Sequence, residues 1–523
     1  METRSKAENA KSLSSKPGKV YLLGAGPGDP GLLTLKAKQC IQEADVVIYD
    51  YLANPVFLEY ASEGAEIIYV GKKGGDHTVS QEGINALIIQ KAVNGLTVAR
   101  LKGGDPFIFG RGGEEAQELI SAGVLFEVVP GVTSAISVPA YAGIPLTHRD
   151  YTATVAFVTG HEDPTKEKSN IHWDKLATAA GTLVFLMGIG NIAKIAKKLV
   201  SCGRSPQTPA AVIRRGTMND QRTLTGTLEN IAERTKKAQI RPPAIIVVGD
   251  VVTLREELNW FETKPLFGKR IVVTRAREQA SGFLKELASL GAECIQFPTI
   301  RVIPPESWKA LDKAINKLSS YEWILFTSPN GVKFFVERLH FHGKDVRELK
   351  GIKIGAIGPK TAEKWYQWGI TPDLIPEEYR AEAIVEAFRK MGATPGKILL
   401  PRAAKAREVL PEDLKKMGFE VDVVPAYQTV KPDQDTAMVA EMFREGRIDM
   451  VTFTSSSTVT NFLGMLDHHD PSLRNTLTSA TMACIGPITA KTAKENGLEV
   501  DLTPTEYTID SLTDAILEYY EKR

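Results

Sequence analysis

The sequence has no long hydrophobic run, few cysteines and almost no net charge, and each of these absences excludes a class of protein. No apolar stretch approaches the roughly 20 residues that a membrane-spanning helix needs, so we expect no membrane partner. The four cysteines lie far apart, without the spacing of metal ligands; we expect reduced cysteines, a cytoplasmic protein and no metal. The formal net charge of +1 argues against nucleic-acid binding, so an anionic substrate must meet local groups of Arg and Lys.

The chain of 523 residues is too long for a single ordinary core, and two to four domains are expected. Residues 1–16 are polar and carry charges of both signs. They lack the apolar core of a secretory signal, and we interpret them as a flexible arm.

In the first half, short β-rich runs alternate with helical patterns. Such alternation is typical of parallel α/β sheets covered on both faces, and two sheets of about five strands fit better than one of nine. The predicted strands are 19–23, 45–49, 66–70, 97–101, 126–129, 154–159, 182–187, 210–213 and 244–248. We predict a domain over 17–262, with subdomains of about 17–140 and 141–262, and a linker over 263–268.

The second half contains an internal repeat. Residues 270–276 (RIVVTRA) match 397–403 (KILLPRA), and the Phe-Thr-Ser block at 326–328 recurs at 453–455, about 127 residues later. We therefore predict two similar α/β lobes, of about 269–396 and 397–523, that face each other across a cleft. Clefts of this kind are common small-molecule sites.

Three glycine-rich loops in the first half suggest a cofactor held by backbone groups, since glycine lets backbone N–H groups approach a ligand closely. They are residues 24–31 (GAGPGDPG), 102–106 and 187–190. A dinucleotide site is one interpretation, because Asp50 ends the following strand at roughly the distance of a ribose-binding acid. Pro27 and Pro30 fit poorly with a helix start that must donate N–H groups to a pyrophosphate.

Residues 17–262 resemble the tetrapyrrole methylase family, and most closely the uroporphyrinogen-III C-methyltransferases. The motifs are 98–114 (VARLKGGDPFIFGRGGE), 129–135 (VPGVTSA), 143–151 (GIPLTHRDY) and 158–161 (VTGH). The resemblance implies two αβα domains with S-adenosylmethionine in the cleft between them. The cofactor-binding residues that it implies are Pro27, Gly103, Gly104, Asp105, Ile108, Thr133, Ser134, Met187, Gly216, Pro243 and Ala244.

Two residues match positions proposed for proton transfer in that family. Asp50 matches the proton acceptor and Lys72 the donor. The alternatives are a capping role for Asp50 and, for Lys72, a solvated charge or a partner for a substrate carboxylate. Arg111, His148 and Arg149 are candidates for binding the acidic side chains of a tetrapyrrole, or form structural hydrogen bonds.

The second half shows no nucleophile triad, metal cluster or phosphate loop. Its Thr-Ser sequences are expected to end strands and begin helices, where hydroxyls and free N–H groups bind carboxylates or simply cap the helix. The candidates are Thr327, Ser328, Lys360, Thr361, Thr454, Ser455 and Ser456. The candidate cations, each either a carboxylate contact or a solvated charge, are Arg275, Arg277, Lys360, Arg402, Lys405 and Arg407.

Residues 266–523 are similar to uroporphyrinogen-III synthases, through 273–276 (VTRA), 327–332 (TSPNGV), 356–362 (AIGPKTA) and 453–456 (FTSS). The resemblance implies that linear hydroxymethylbilane loses water and closes to uroporphyrinogen III with ring D inverted. Such a reaction depends mainly on substrate positioning. Tyr427 matches a family tyrosine near the leaving hydroxyl; the alternative is a core tyrosine.

Together the resemblances imply a bifunctional enzyme of siroheme and corrinoid synthesis. One half makes uroporphyrinogen III, and the other methylates it at C2 and C7, with two S-adenosylmethionine molecules for each precorrin-2. The family further implies a homodimer through the methylase half. Two alternatives stay open: a methyltransferase whose second half only binds tetrapyrrole, and a nicotinamide oxidoreductase.

Overall fold

The computed structural model describes residues 18–71, 80–161, 169–275, 277–378, 381–406, 408–432 and 436–522. Lys72, Arg407 and the arm 1–16 lie outside these residues. Internal contacts divide the chain into two compact units, one of 1–269 with 290–293 and one of 270–289 with 294–523.

The first unit begins with a five-stranded sheet in which every strand is parallel to its neighbours. The strands, in the order β3-β2-β4-β1-β5, are β1 (Lys19–Gly24), β2 (Val46–Tyr49), β3 (Glu66–Tyr69), β4 (Val98–Lys102) and β5 (Leu125–Val129). Its helices are α1 (Leu35–Glu43), α2 (Gln81–Val93) and α3 (Gly112–Ser121). Val20 and Leu22 pack into a core on one face and Leu23 into a core on the other. Burial on both faces explains the nearly continuous apolar runs of these strands.

The second sheet of this unit is mixed, which differs from the predicted parallel sheet. Its order is β6-β7-β10-β8-β9, with β6 (Val155–Thr159), β7 (Thr182–Leu186), β8 (Pro209–Arg214), β9 (Arg222–Thr227) and β10 (Ala244–Val248). β10 is antiparallel to both β7 and β8, and β9 is antiparallel to β8. β9 was not predicted, because its threonines and glycine give no apolar run. The helices are α4 (Ser134–Tyr141), α5 (Trp173–Ala179), α6 (Ile192–Ser201), α7 (Ile231–Lys237) and α8 (Arg255–Leu258).

The second unit has two sheets, which define two lobes. The inserted lobe has the order β13-β17-β16-β14-β15, with β13 (Arg301–Ile303), β14 (Trp323–Phe326), β15 (Lys353–Ala356), β16 (Lys397–Ala403) and β17 (Glu420–Val430). Its helices are α10 (Lys309–Ile315), α11 (Pro329–Phe341), α12 (Pro359–Tyr366), α13 (Ala381–Lys390) and α14 (Val409–Lys416). Its four principal strands are parallel, and only the edge strand β13 is antiparallel.

The terminal lobe is built from both ends of the second unit. Its sheet has the order β12-β11-β18-β19, with β11 (Arg270–Val273), β12 (Glu293–Gln296), β18 (Met450–Phe453) and β19 (Thr481–Cys484). Its helices are α9 (Arg277–Ser289), α15 (Ala437–Arg444), α16 (Ser456–His469), α17 (Pro487–Glu495) and α18 (Ile509–Glu521).

This topology corrects the expectation that each repeat forms its own lobe. The repeats do supply equivalent strands, since β16-β14-β15 and β11-β18-β19 run in the same order and are parallel. The first strand of each repeat, however, joins the sheet of the other repeat: β11 pairs with β18, and β16 pairs with β14. A lobe made of 269–396 or of 397–523 is therefore wrong. The equivalent strands share one apolar pattern, which does not specify which parallel neighbour each one takes.

Candidate functional sites

The first two glycine loops meet backbone to backbone at the carboxyl ends of β1 and β4. The Gly26 N–H donates to the Gly104 carbonyl at 3.1 Å, and the Gly104 N–H donates to the Gly26 carbonyl at 2.7 Å. A Cβ on Gly24 would lie 2.3 Å from the backbone nitrogen of Gly131, in the loop after β5. No side chain fits there, so glycine is required for the three loops to come together.

Asp105 holds this arrangement through its carboxylate. One oxygen accepts the Gly131 N–H at 3.0 Å, and the other accepts the Phe107 N–H at 2.8 Å. The side chain ties the loop after β4 to the loop after β5. In this structure it therefore has a positioning role, and a contact with the cofactor remains a prediction.

Four further predicted positions lie together because β10 is antiparallel. Ala244 at its start pairs with Arg214 at the end of β8, and Ile245 pairs with Leu186 at the end of β7. Met187, Gly216 and Pro243 therefore lie at one edge of the second sheet. The Met187 side chain is 53% exposed.

Strained backbone marks the same edge. Met187, Arg215 and Thr217 have φ values of 57°, 47° and 70°. This left-handed region is unfavourable for a β-branched residue such as threonine. Strain of this kind clusters at functional sites, where surrounding contacts maintain it.

The edges of the two sheets are joined through Asp29 in the first glycine loop. Its backbone N–H donates to Thr217 Oγ1 at 3.2 Å, and its carboxylate accepts the Tyr141 hydroxyl at 2.6 Å. Burial, with the neighbouring Asp29 carboxylate, raises the pKa of Tyr141, which keeps the hydroxyl a donor. Thr133 and Ser134 belong to the same region: Thr133 caps α4, and the Ser134 nitrogen lies 3.7 Å from a Cβ built on Gly104. Neither Asp29 nor Thr217 was predicted; the proline flanking Asp29 was the one available signal.

Asp50 follows β2 and accepts two hydrogen bonds. Its Oδ1 accepts the Leu52 N–H at 3.1 Å, and its Oδ2 accepts a guanidinium N–H of Arg100 at 3.2 Å. Arg100, Lys102 and Glu115 form a buried charged cluster beside it. These three residues were not predicted, although two basic residues within an otherwise apolar strand were a usable signal.

The predicted substrate residues of the first unit are placed less favourably. Arg111 is half-exposed, and its Nε donates to both oxygens of Glu114 at 3.0 Å. His148 packs edge-on against Tyr151, with ring centroids 5.0 Å apart, and Arg149 is exposed. Within the described residues, no hydrogen bond or ion pair joins these three to the glycine loops.

In the inserted lobe, predicted residues meet at the carboxyl edge of the sheet. Ser328 caps α11 by accepting the Gly331 N–H at 3.1 Å, and its Oγ lies 2.9 Å from the Tyr427 hydroxyl. Tyr427 is buried and stacks on Phe334, and burial raises its pKa. Thr327 precedes Ser328 at the end of β14 and is partly exposed. The Tyr427 hydroxyl thus lies beside a helix N-terminus, in an environment that favours its neutral form.

The parallel neighbour β15 leads into a second helix N-terminus in this lobe. Gly358 precedes α12 without a side-chain cap, while Lys360 is exposed and Thr361 is buried. Arg402 at the end of β16 is buried and pairs with Glu408. Lys405 is exposed in the loop that follows.

The terminal lobe repeats this edge with a different charge arrangement. Ser455 and Thr458 form a reciprocal capping box on α16, and Ser456 Oγ accepts the Thr492 hydroxyl at 2.8 Å. Thr454 lies between β18 and this cap and is partly exposed. Arg275, which follows β11, is partly buried and forms no hydrogen bond or ion pair with any other described residue. Burial lowers its pKa; its repeat equivalent, Arg402, has a carboxylate partner.

No helix within the described residues is long and apolar enough to span a bilayer. Nor do these residues contain a group of three or more His, Cys, Asp or Glu side chains that could hold a metal ion.

Comparison with known proteins identifies relatives for both halves. Residues 19–232 match the family model of tetrapyrrole (corrin/porphyrin) methylases, and residues 281–514 match that of uroporphyrinogen-III synthase HemD. The porphyrin biosynthesis protein HemD of Ruminiclostridium josui is 38% identical over 501 residues, which are 96% of this chain and 98% of that protein.

Two further relatives match the first half alone. The S-adenosyl-L-methionine-dependent uroporphyrinogen III methyltransferase of Methanosarcina barkeri is 54% identical over 247 residues, 47% of this chain and 97% of that protein. The crystal structure of uroporphyrin-III C-methyl transferase from Thermus thermophilus, complexed with S-adenyl homocysteine, is 43% identical, covers 45% of this chain and all of that one, and has a TM-score of 0.39.

Proposed function

The chain belongs to the porphyrin biosynthesis proteins that join a tetrapyrrole methylase to a uroporphyrinogen-III synthase, and from that premise we propose that it carries out both reactions. The second unit cyclises hydroxymethylbilane to uroporphyrinogen III with inversion of ring D. The first methylates that product at C2 and C7 to give precorrin-2, with one S-adenosylmethionine consumed for each methyl group.

The paired glycine loops carry the methyltransferase proposal. Side chains are excluded at Gly24 and Gly131 by the backbone of the neighbouring loops, which leaves a cradle of peptide groups. Exposed apolar side chains follow β4 and β7: Phe107, Ile108, Phe109 and Met187 are 36–55% exposed. Such a surface fits the adenosine and methionine parts of S-adenosylmethionine, and a relative that is 54% identical is named for dependence on it.

S-adenosylmethionine supplies an electrophilic methyl group when it is bound. The chain's task is to align a nucleophilic pyrrole carbon with that group and to manage protons on the macrocycle, so positioning provides much of the rate. Asp50, partly exposed at the end of β2, accepts the proton in this proposal. Lys72, outside the described residues, is proposed as the proton donor.

The Tyr427–Ser328 pair and Arg275 support the synthase proposal. The Tyr427 hydroxyl assists the hydroxyl of hydroxymethylbilane as it leaves as water, by donating a hydrogen bond. The helix N-termini at Ser328 and Ser455 offer backbone N–H groups to substrate carboxylates. Arg275 supplies a cation that has no competing carboxylate among the described residues.

The test supplies enzymatically generated hydroxymethylbilane to the purified protein, with and without S-adenosylmethionine, and separates the oxidised products by isomer. We expect type III uroporphyrin without the cofactor and dimethylated product with it. Type I uroporphyrin at the enzyme-free rate, with tetrapyrrole still bound, would leave a methyltransferase with a non-catalytic second half. Binding of NAD without binding of S-adenosylmethionine would overturn the methyltransferase proposal.

A variant tests the role of Asp50 directly. We expect Asp50→Asn to lower methyl transfer to uroporphyrinogen III by about 100-fold or more, while S-adenosylhomocysteine still binds. Glu118→Gln on α3, which alters an exposed acid of the same unit, is the matched control. Full activity of Asp50→Asn would exclude it as the proton acceptor.

A further inference from the structure

Three charged side chains are buried at the end of the first sheet, beside Asp50. Arg100, Lys102 and Glu115 are 2%, 4% and 1% exposed. Arg100 and Lys102 are two residues apart on β4, so they project from the same face of the sheet. Glu115 lies on α3, and with Asp50 it balances the two positive charges.

Hydrogen bonds connect the cluster into a chain that ends at Asp50. Glu115 Oε1 accepts from Lys102 Nζ at 2.6 Å and from Arg100 Nε at 3.4 Å. The Gln81 amide, at the start of α2, donates to the same oxygen at 3.1 Å. Arg100 also donates to its neighbour's carbonyl, Leu101 O, at 3.1 Å, and its remaining nitrogen donates to Asp50 Oδ2 at 3.2 Å.

Stability alone does not explain this cluster. Burying charges is costly, and apolar side chains of similar volume often stabilise a core as well or better. Val98, on the same face of β4, lies in an apolar core with residues of α2 and α3. Glu115 Oε2 is also buried and has no hydrogen-bond partner within the described part of the chain, a cost that a purely structural pair avoids.

We infer that Arg100 is a positioning residue for Asp50 and that Glu115 and Lys102 hold Arg100 in place. The inference rests on the proposed role of Asp50 as proton acceptor. The planar guanidinium is fixed on two sides by Glu115 and the Leu101 carbonyl, so its third side has a defined direction toward Asp50. The Asp50 side chain, 26% exposed, stays accessible while one oxygen is held.

The charges of the cluster also act on the Asp50 carboxylate with opposite signs. The titratable and charged groups that face Asp50 are Arg100 and Lys102 from β4 and Tyr69 from β3, with Glu115 from α3 acting through Arg100. The two cations attract negative charge at this position, and Glu115 repels it. Removing a cation and removing Glu115 must therefore have opposite effects on the pH dependence of methyl transfer.

The test measures kcat/KM for methyl transfer against pH in the full-length protein. In Arg100→Met, we expect kcat/KM to fall at least 10-fold and its acidic limb to move up by about one pH unit. In Glu115→Gln, the acidic limb moves down. Arg100→Lys keeps the positive charge but loses the planar guanidinium. We therefore expect it to keep the acidic limb of the wild-type pH profile and to lower kcat/KM. Lys91→Met, which breaks an exposed pair with Glu66 in the same unit, is the control and changes neither quantity.

Binding of S-adenosylhomocysteine, measured by calorimetry, shows that each variant is folded. If Arg100→Met does not bind S-adenosylhomocysteine, the pH profiles of kcat/KM for Arg100→Lys and Glu115→Gln decide whether the inference holds. Acidic limbs that stay in place, or that move in the same direction for Arg100→Met and Glu115→Gln, overturn the inference. Full activity of Asp50→Asn contradicts the proposed function itself, so the two failures are distinguishable.

Discussion

The two halves of the chain differ in how their candidate sites are built. In the first unit, the site consists of backbone: glycine loops approach each other so closely that Gly24 and Gly131 exclude any side chain. In the second unit, the candidate residues are side chains at helix N-termini, with the buried Arg402 and the partly buried Arg275 at the ends of neighbouring strands. A cofactor of constant shape suits a rigid backbone cradle, whereas an open tetrapyrrole chain that must be folded suits several separate anchoring groups.

The lobes of the second unit differ from each other in a similar way. Equivalent strands lead to equivalent caps at Ser328 and Ser455, but the inserted lobe has Tyr427 beside its cap and pairs its arginine with Glu408. In the terminal lobe, Arg275 has no such partner among the described residues. This asymmetry predicts that the inserted lobe contributes the Tyr427 hydroxyl to the reaction. The terminal lobe contributes the positive charge of Arg275 to substrate binding.

The largest expected effect tests the backbone cradle. In Gly24→Ala, the new Cβ meets the Gly131 nitrogen at 2.3 Å and the Gly104 carbonyl at 2.8 Å, so the loops must separate. We expect methyl transfer to uroporphyrinogen III to fall by about 100-fold or more, with formation of type III uroporphyrinogen unchanged. Gly113→Ala, where a Cβ meets nothing within 4 Å, is the control. Equal methyl transfer by the two variants would contradict the proposal that these loops form a backbone cradle for the cofactor.

The next effect concerns Tyr427. Tyr427→Phe removes the hydroxyl but keeps the ring stacked on Phe334, and we expect the synthase rate to fall by about 10-fold or more. Since burial raises the pKa of Tyr427, the wild-type rate should show no loss of this proton up to pH 9. The control is Tyr321→Phe, which removes a hydroxyl bonded to Asp422 at 2.6 Å in the same lobe. A smaller loss of synthase rate in Tyr427→Phe than in Tyr321→Phe would show that Tyr427 is only a core residue.

The charge contributed by the terminal lobe is tested at Arg275. We expect Arg275→Met to raise KM for hydroxymethylbilane by about 10-fold, with a smaller change in kcat, because a charged hydrogen bond to a carboxylate is lost. The difference should shrink as salt is added. Arg474→Met, which removes an arginine already paired with Asp467 at 2.7 Å, is the control. A KM that does not change would identify Arg275 as a charge without a substrate role.

The smallest effect is on stability and separates structure from function in the inserted lobe. Arg338 and His342 bind the Asp312 carboxylate and hold its pKa at about 2. A lowered pKa stabilises the fold at pH values above the ordinary aspartate range, and that stabilisation is lost as the pH falls toward 2. We expect Asp312→Asn to lower the melting temperature by about 2 °C at pH 7. Both reactions should be unaffected.

The control for Asp312→Asn is the same comparison near pH 2, where the wild-type carboxylate is about half protonated and most of the difference in melting temperature should have disappeared. A difference that persists there would show that packing, rather than ionisation, accounts for the loss.

The glycine loops and the caps could be predicted because they depend on local sequence. The closeness of residues 24–31 to 102–106 follows from two parallel strands that end at one edge, and Ser328 and Ser455 do cap helices as expected. Thr217 and the Arg100 cluster could not be predicted in the same way, since their partners are 188 and 50 residues away. A buried arginine and an exposed one look the same in sequence until the elements that cover them are known.

The sequence by itself determined the fold class, the two families and the repeat, because these depend on periodicity and on motifs within short segments. The tertiary structure alone decided the direction of β10, which places Met187, Gly216 and Pro243 together. It also decided the exchange of β11 and β16 between the repeats. Strands buried on both faces have nearly the same apolar composition, so the choice of neighbour is made by packing across the whole sheet.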